Sequence, residues 1–292
     1  MLSFAAILSA LELGTIYALV ALALLLSFRV LNIADMTTDG SFTLGCAVSA
    51  VLAVAGHPWL VLPAAMAAGA AAGLVTAFLQ TRFRIPSILA GIITNTGLYT
   101  VNLAVMGFSA NVNLMRAETI FTPAKALLGS MYRLLPAMAL TLAAAGLLTL
   151  FLKTRLGLSI RATGDNPEMV RASSVNPAMP IAVGLAVANA LTALSGAVLA
   201  QYQKTADINL GTSMVIIGLA SLIIGQTLIP GRGIGKAALG AVLGSVVYRL
   251  LIALALRLDL PSECLKLISA VIVALAIGLP GLKQGGKKPC SN

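Results

Sequence analysis

The chain has 292 residues, of which 59% are hydrophobic and 10% charged, with a formal net charge of +10. Soluble domains carry about 25% charged residues, so this chain cannot cover a water-facing surface, which excludes an ordinary soluble enzyme, a disordered chain and a disulfide scaffold. A polytopic membrane protein remains, and there excess cations orient helices; they do not mark a nucleic-acid partner.

Charged residues divide the chain into nine apolar stretches: 5–28, 40–56, 58–80, 86–106, 134–152, 178–201, 212–229, 237–256 and 265–281. Lipid offers backbone groups no hydrogen bonds, so each stretch is expected to be a helix. The expected fold is all-α: a single membrane domain over 1–292 with about nine spans and a short tail at 282–292. Twelve Lys and Arg lie on the side of 153–177 and six on the other. That asymmetry puts 153–177 and the C-terminus in the cytoplasm and the N-terminus outside.

The first stretch carries Glu12, about seven residues from its outer end by the 1.5 Å helical rise. It is followed by Asn32-Ile33-Ala34-Asp35-Met36-Thr37-Thr38-Asp39-Gly40-Ser41. This block reads as a polar turn whose Asp39 or Ser41 caps the next helix. It reads equally as a broken helix whose Asp35, Thr38 and Asp39 line a cavity. By loop order it lies at the inner membrane boundary. In the fourth stretch Gly91, Asn95, Leu98 and Asn102 share one helix face, either as interhelical glue or as the lining of a passage. The outer segment 107–133 is too polar to span, and 119–130 has the pattern of a short re-entrant or surface helix.

Between the fifth and sixth stretches, residues 165–174 predict a short cytoplasmic helix. Asp165 or Asn166 caps it, Pro167 fits its first turn, and Asp165 with Glu168 resembles a capping box. Met169, Val170, Ala172 and Val175 give it a modest apolar face, adequate for docking a protein groove. Further on, Ala206-Asp207-Ile208-Asn209 echoes Ala34-Asp35 on the opposite side of the membrane, as an inverted repeat would. Arg249 lies in the eighth stretch at the same depth as Glu12, and the two are expected to form an intramembrane ion pair, a role toward substrate being the alternative.

Chemistry-bearing motifs are few. Cys46, Cys264 and Cys290 have no metal or redox spacing, and the one histidine, His57, sits in a turn. Gly231-Arg232-Gly233-Ile234-Gly235-Lys236-Ala237 lacks the spacing of a phosphate loop. No catalytic residue, metal-ligand set or ATP site of the chain's own is expected.

Ile160-Arg161-Ala162-Thr163-Gly164-Asp165-Asn166-Pro167-Glu168-Met169-Val170-Arg171-Ala172 resembles the coupling-helix loop of bacterial ABC importer permeases of the branched-chain amino acid and ribose type. Phe28 to Gly45, Leu194 to Gln203 and Ala206 to Asn209 resemble the tryptophan/tyrosine-type transport permeases among them. Ser174 and Lys204 depart from this pattern, where glycine is expected. The resemblance implies a translocation pathway for a small polar solute, an amino acid of aromatic or branched-chain type, past Asp35, Thr38, Asp39, Asn95, Asn102, Asp207 and Asn209. It implies coupling to an ATPase through Asp165, Asn166, Glu168, Met169, Arg171 and Ala172. The implied partners are cytoplasmic ABC ATPase subunits that hold ATP and Mg, an extracytoplasmic substrate-binding protein, a second permease copy forming a homodimer, and the lipid of a bacterial inner membrane. An ion-coupled secondary transporter and a passive channel are the competing classes. Buried coupling carboxylates would mark the first, and a channel would need no docking helix.

Overall fold

The computed structural model describes residues 4–123, 125, 131–173, 176–231 and 233–255. The ninth predicted stretch, Cys264, Cys290, the tail at 282–292, Arg232, Ser174 and most of 124–130 lie outside the described residues.

Eight long helices match the first eight predicted stretches. They are α1 (Phe4–Leu24, prolonged by a π-helical turn Leu25–Val30), α2 (Thr38–Val54), α3 (Val61–Arg82), α4 (Ser87–Val105), α5 (Leu134–Phe151), α8 (Ala178–Gln203), α9 (Met214–Leu228) and α10 (Ile234–Ala255). Six are long and apolar enough to cross a bilayer, whereas α2 and α9 are shorter. Two shorter helices follow α5: α6 (Arg155–Asp165) and α7 (Pro167–Ala172). The sequence reading missed the amphipathic α6. A two-stranded antiparallel sheet pairs β1 (Asn111–Asn113) with β2 (Thr205–Asp207), Asn111 opposite Asp207. The sheet ties the α4–α5 connection to the end of α8.

Helices α1 and α8 form the core because they are apolar all round. Residues 16–26 of α1 and 188–201 of α8 are almost continuously buried. No hydrophobic effect separates helix from lipid, so small residues and hydroxyls hold them together. Three hydroxyls from three helices converge on successive carbonyls of α1: Ser245 on Gly14 (2.7 Å), Thr141 on Thr15 (2.8 Å) and Ser195 on Ile16 (2.7 Å). Helix α2 lies against α8 through Gly45 on the Ala193 carbonyl and Gly196 on the Phe42 carbonyl. A Cβ at either position would collide with backbone. Cys46 and Ser49 donate to Gly196 and Ala197 carbonyls at 3.1 and 3.0 Å.

These contacts set helix directions and depths. Residue numbers rise together along α2 and α8, so the two run parallel. Helix α1 runs opposite to α8, with Ile16 beside Ser195 and Leu31 beside Gly184. Helix α10 runs opposite to α1, with Ser245 beside Gly14 and Ile234 near Leu25. Helix α9 runs opposite to α10, with Gly225 on Gly240 and Gly244 on Ser221, so α9 runs with α1. Helices α2 and α9 are therefore antiparallel. Ser41 and Asp35 bond to Asn189, which lies 11 residues into the 26-residue α8. Phe42 stacks on Tyr17, with ring centroids 6.2 Å apart, midway along α1. Helix α2 thus starts near mid-depth. This corrects the expectation that Asp35 and Asp39 sit at the inner boundary: 31–37 is an unwound segment rising inside the protein, where backbone is tolerated because its polar groups find partners.

The expected Glu12–Arg249 ion pair is not formed. Glu12 instead accepts a 2.8 Å hydrogen bond from the Tyr202 hydroxyl. The Arg249 guanidinium lies over the Tyr17 ring, 3.8 Å from its centroid. The Cα–Cβ bond of a helical residue tilts toward its own helix N-terminus. Because α1 and α10 are antiparallel, Glu12 leans toward the start of α1, to Tyr202, and Arg249 leans toward the end of α1, to Tyr17.

Candidate functional site

The unwound segment 31–37 ends at α2, and a second irregular segment, 208–213, ends at α9. The two blocks singled out in the sequence meet where these short helices begin, N-terminus to N-terminus. Asp39, in the first turn of α2, closes the junction. Its Oδ1 accepts from Val215 N at 2.9 Å and its Oδ2 from Ser213 N at 3.1 Å. Thr43 Oγ1 accepts from Gly211 N at 3.1 Å. Gly211 packs so closely on the Asp39 carbonyl that no Cβ fits. Ser213 holds φ +71°, a left-handed conformation uncommon for a side-chain-bearing residue. Each helix start carries about half a positive charge from its dipole, and one carboxylate between two starts offsets both.

Beside this junction lies a cavity of about 310 Å³ between α2, α4 and 208–212. It is lined by Asp39, Gly40, Thr43, Asn95, Thr96, Tyr99, Asn102, Ile208, Asn209, Gly211 and Thr212. The structure therefore brings Asp39, Asn95, Asn102 and Asn209 to one place. Asn102 Nδ2 donates to the Gly40 carbonyl at 3.1 Å. Gly91 and Leu98, on the same face of α4, pack on Met36 and Gly40. That face both packs and lines: its ends hold α2, and its amides border the cavity.

Three other sequence candidates do not line the cavity. Asp35 is buried one turn away, where its Oδ1 accepts from Thr37 N (2.9 Å) and its Oδ2 from Asn189 Nδ2 (2.7 Å). Thr38 is buried and donates to the Asp35 carbonyl at 3.2 Å. Asp207 belongs to β2, and its Oδ1 accepts from Asn209 N at 2.8 Å, shaping the turn that leads to the cavity. The sequence reading missed Asn189, whose lone amide in an apolar run was a usable signal, since it clamps Asp35 and Ser41. It also missed Thr37 and Thr76, joined at 2.7 Å, for which an apolar run offers no comparable signal.

The helix expected over 165–174 is shorter, spanning Pro167–Ala172. Asn166 caps α7, its Oδ1 accepting from Glu168 N and Met169 N at 3.1 Å each. Asp165 ends α6 instead, so the capping box with Glu168 is not made. Glu168 pairs with Arg171 at 2.9 Å, and both are well exposed, so the bridge adds little stability. Val170 faces inward, whereas Met169 is 54% and Met179 55% exposed. Helix α6 seats this loop firmly, with Gly164 against the Val30 carbonyl at the end of α1. Asp165 also borders a cavity with Arg29 and Arg161. Lys204, where glycine was expected, adopts φ +57° as the residue closing α8, the conformation a glycine would favour there.

The sequence profile of the family described as branched-chain amino acid transport system / permease component matches residues 6–279. The tyrosine transport system permease protein of Clostridioides difficile is 33% identical over 97% of this chain and 94% of its own length. An uncharacterised protein of Rickettsia prowazekii is 29% identical over 93% of this chain and 96% of its own. The galactose/methyl galactoside import permease of Escherichia coli is 27% identical over 50% of this chain and 43% of its own. A solved structure of a metal-chelate type ABC transporter, in an inward-facing conformation, shares the fold with a TM-score of 0.50. It is 17% identical and matches 95% of this chain and 86% of its own.

Proposed function

The chain belongs to the family of branched-chain amino acid transport system permease components, and from that premise we propose that its central cavity is the passage of an ATP-driven importer for an amino acid. The carrying observation is the mid-depth junction of α2 and α9 beside a cavity lined by Asp39, Asn95, Asn102 and Asn209. A permease that receives its solute from a binding protein needs release more than affinity. Small neutral amides and an already engaged carboxylate offer replaceable hydrogen bonds and no deep electrostatic trap. The likeness to a tyrosine transport permease favours an aromatic amino acid.

Helix α7, with exposed Glu168, Met169, Arg171 and Ala172 and its cap Asn166, docks an ABC ATPase subunit that holds ATP and Mg. A second copy of this chain completes the passage, and an extracytoplasmic binding protein delivers the solute. The chain binds no cofactor itself and forms one membrane domain. It lies in a bacterial inner membrane, surrounded by its lipid, with N-terminus outside and C-terminus inside. The buried carboxylate of Asp35 and the half-buried one of Asp39 are engaged by backbone and amide donors, which disfavours ion-coupled transport.

The test is uptake of radiolabelled tyrosine by proteoliposomes holding this permease, its ATPase and its binding protein. The expected result is accumulation that requires ATP and stops on ATPase removal. Uptake driven by an ion gradient without ATP, or equilibration without accumulation, overturns the proposal in favour of a secondary transporter or a channel. Galactose accumulation would retain the class and replace the solute.

A further inference from the structure

The last turn of α1, helix α6 and the start of α10 enclose a cavity of about 140 Å³. Arg29, Arg161 and Asp165 line it together with the apolar Leu25, Val30 and Ile234. Two guanidinium groups against one carboxylate leave this lining net positive. Arg161 and Asp165 stand four residues apart on one face of α6, the spacing of a helical ion pair, yet the pair is not made. Among the described residues the one ion pair joins Glu168 to Arg171, and neither Arg29 nor Arg161 has a hydrogen-bonding partner. The start of α10 adds a partial positive charge. Gly233, just before Ile234, has no side chain to cap the first turn, and a Cβ added to it would meet nothing within 4 Å.

This cavity lies at a membrane boundary, because α1 ends there and α10 begins there, and both are long enough to span. Exposed apolar side chains accompany both arginines. Phe28, 36% exposed, precedes Arg29, and Leu158, 51% exposed, lies one turn before Arg161 on the same face of α6. A cation flanked by exposed apolar groups matches a lipid, whose phosphate sits directly above its acyl chains. A free phosphate ion gains nothing from such neighbours. We propose that the cavity binds the phosphate of an anionic phospholipid, with Arg29 and Arg161 as its donors. Guanidinium forks fit phosphate oxygens, and basic pockets between membrane helices suit anionic headgroups. One net positive charge in the lining favours a headgroup with one net negative charge over a zwitterion. A headgroup held there bridges α1, α6 and α10. It thereby steadies the loop that α6 seats through Gly164 on the Val30 carbonyl.

The experiment is native mass spectrometry of the full-length permease, released from detergent after titration with phosphatidylglycerol or phosphatidylethanolamine. Phosphatidylglycerol is expected to be retained about fivefold more tightly. Arg29→Gln with Arg161→Gln should weaken it about thirtyfold, or about fivefold for each arginine near an anionic lipid, which corresponds to about 1 kcal/mol apiece. Arg155→Gln, an equal loss of charge on α6 outside the cavity, should change nothing. Arg29→Lys with Arg161→Lys keeps both charges and should lose no more than about fivefold. Both arginines are exposed, so these variants leave the core packing intact. Equal retention of the two lipids, binding that survives the double glutamine variant, or the same loss with Arg155→Gln or with the double lysine variant overturns the site. Displacement by millimolar inorganic phosphate would give the cavity to a free anion. No retained lipid, with ATPase co-purification lost in the double glutamine variant, would give it to an acidic ATPase surface. Either result overturns the lipid site and leaves the solute passage untouched.

Discussion

Asp39→Asn removes one charge at nearly constant shape, so its effect isolates the electrostatic role of the α2–α9 junction. In the native protein two carboxylate oxygens accept from Val215 N and Ser213 N at 2.9 and 3.1 Å. An asparagine amide keeps one acceptor and turns an N–H toward the other donor. One charge-assisted bond of about 1.5–3 kcal/mol becomes a neutral one of about 1 kcal/mol, and the second donor is left unsatisfied at about 1–3 kcal/mol. Loss of the charge facing two helix starts adds about 0.3–1 kcal/mol each. The expected destabilisation is about 2–7 kcal/mol, or at least about thirtyfold in the folding equilibrium. Unfolding in mixed micelles with rising SDS, followed by far-ultraviolet circular dichroism, measures it. Asp39→Glu, longer by one methylene, should lose about half as much. A loss below about 0.5 kcal/mol for Asp39→Asn, within the usual range of surface substitutions, would refute the idea that this carboxylate holds the two helices together.

Three further outcomes follow from other contacts. In a double-mutant cycle in the same unfolding assay, Glu12→Gln and Arg249→Gln should be additive within about 0.5 kcal/mol, whereas Glu12→Gln and Tyr202→Phe should couple by about 1 kcal/mol; strong coupling in the first cycle would restore the ion pair. Gly45→Val forces side-chain atoms into the Ala193 carbonyl and should destabilise by about 1–3 kcal/mol, read as a lower SDS midpoint; an unchanged midpoint would mean that α2 and α8 can separate freely. Asn166→Ala removes the cap of α7 at about 1 kcal/mol and should weaken ATPase co-purification without moving the SDS midpoint of the permease. Full co-purification by this variant and by Ala172→Asp would show that α7 is not the docking helix.

Lipid made most of the architecture legible before any coordinates. A bilayer demands long apolar runs and internally satisfied backbone, so eight of the nine stretches read from charge spacing coincide with helices, and the ninth lies outside the described residues. Asn95 and Asn102 were legible for the same reason: an amide in an apolar run must find a partner, and helical spacing put both on one face. Depth was not legible. A polar block between two apolar runs has the same spacing whether it lies outside the membrane or folds back inside, and only the bonds of Asn189 to Asp35 and Ser41 place 31–41 near the middle. Partnership was not legible either. Glu12 and Arg249 match in depth by residue count, but antiparallel helices tilt their side chains apart, which no count along one chain reveals. The β1–β2 pairing and the Asp39 junction join residues about 100 or more apart in the chain, so only tertiary structure determined that the two echoing segments meet, N-terminus to N-terminus, beside a cavity.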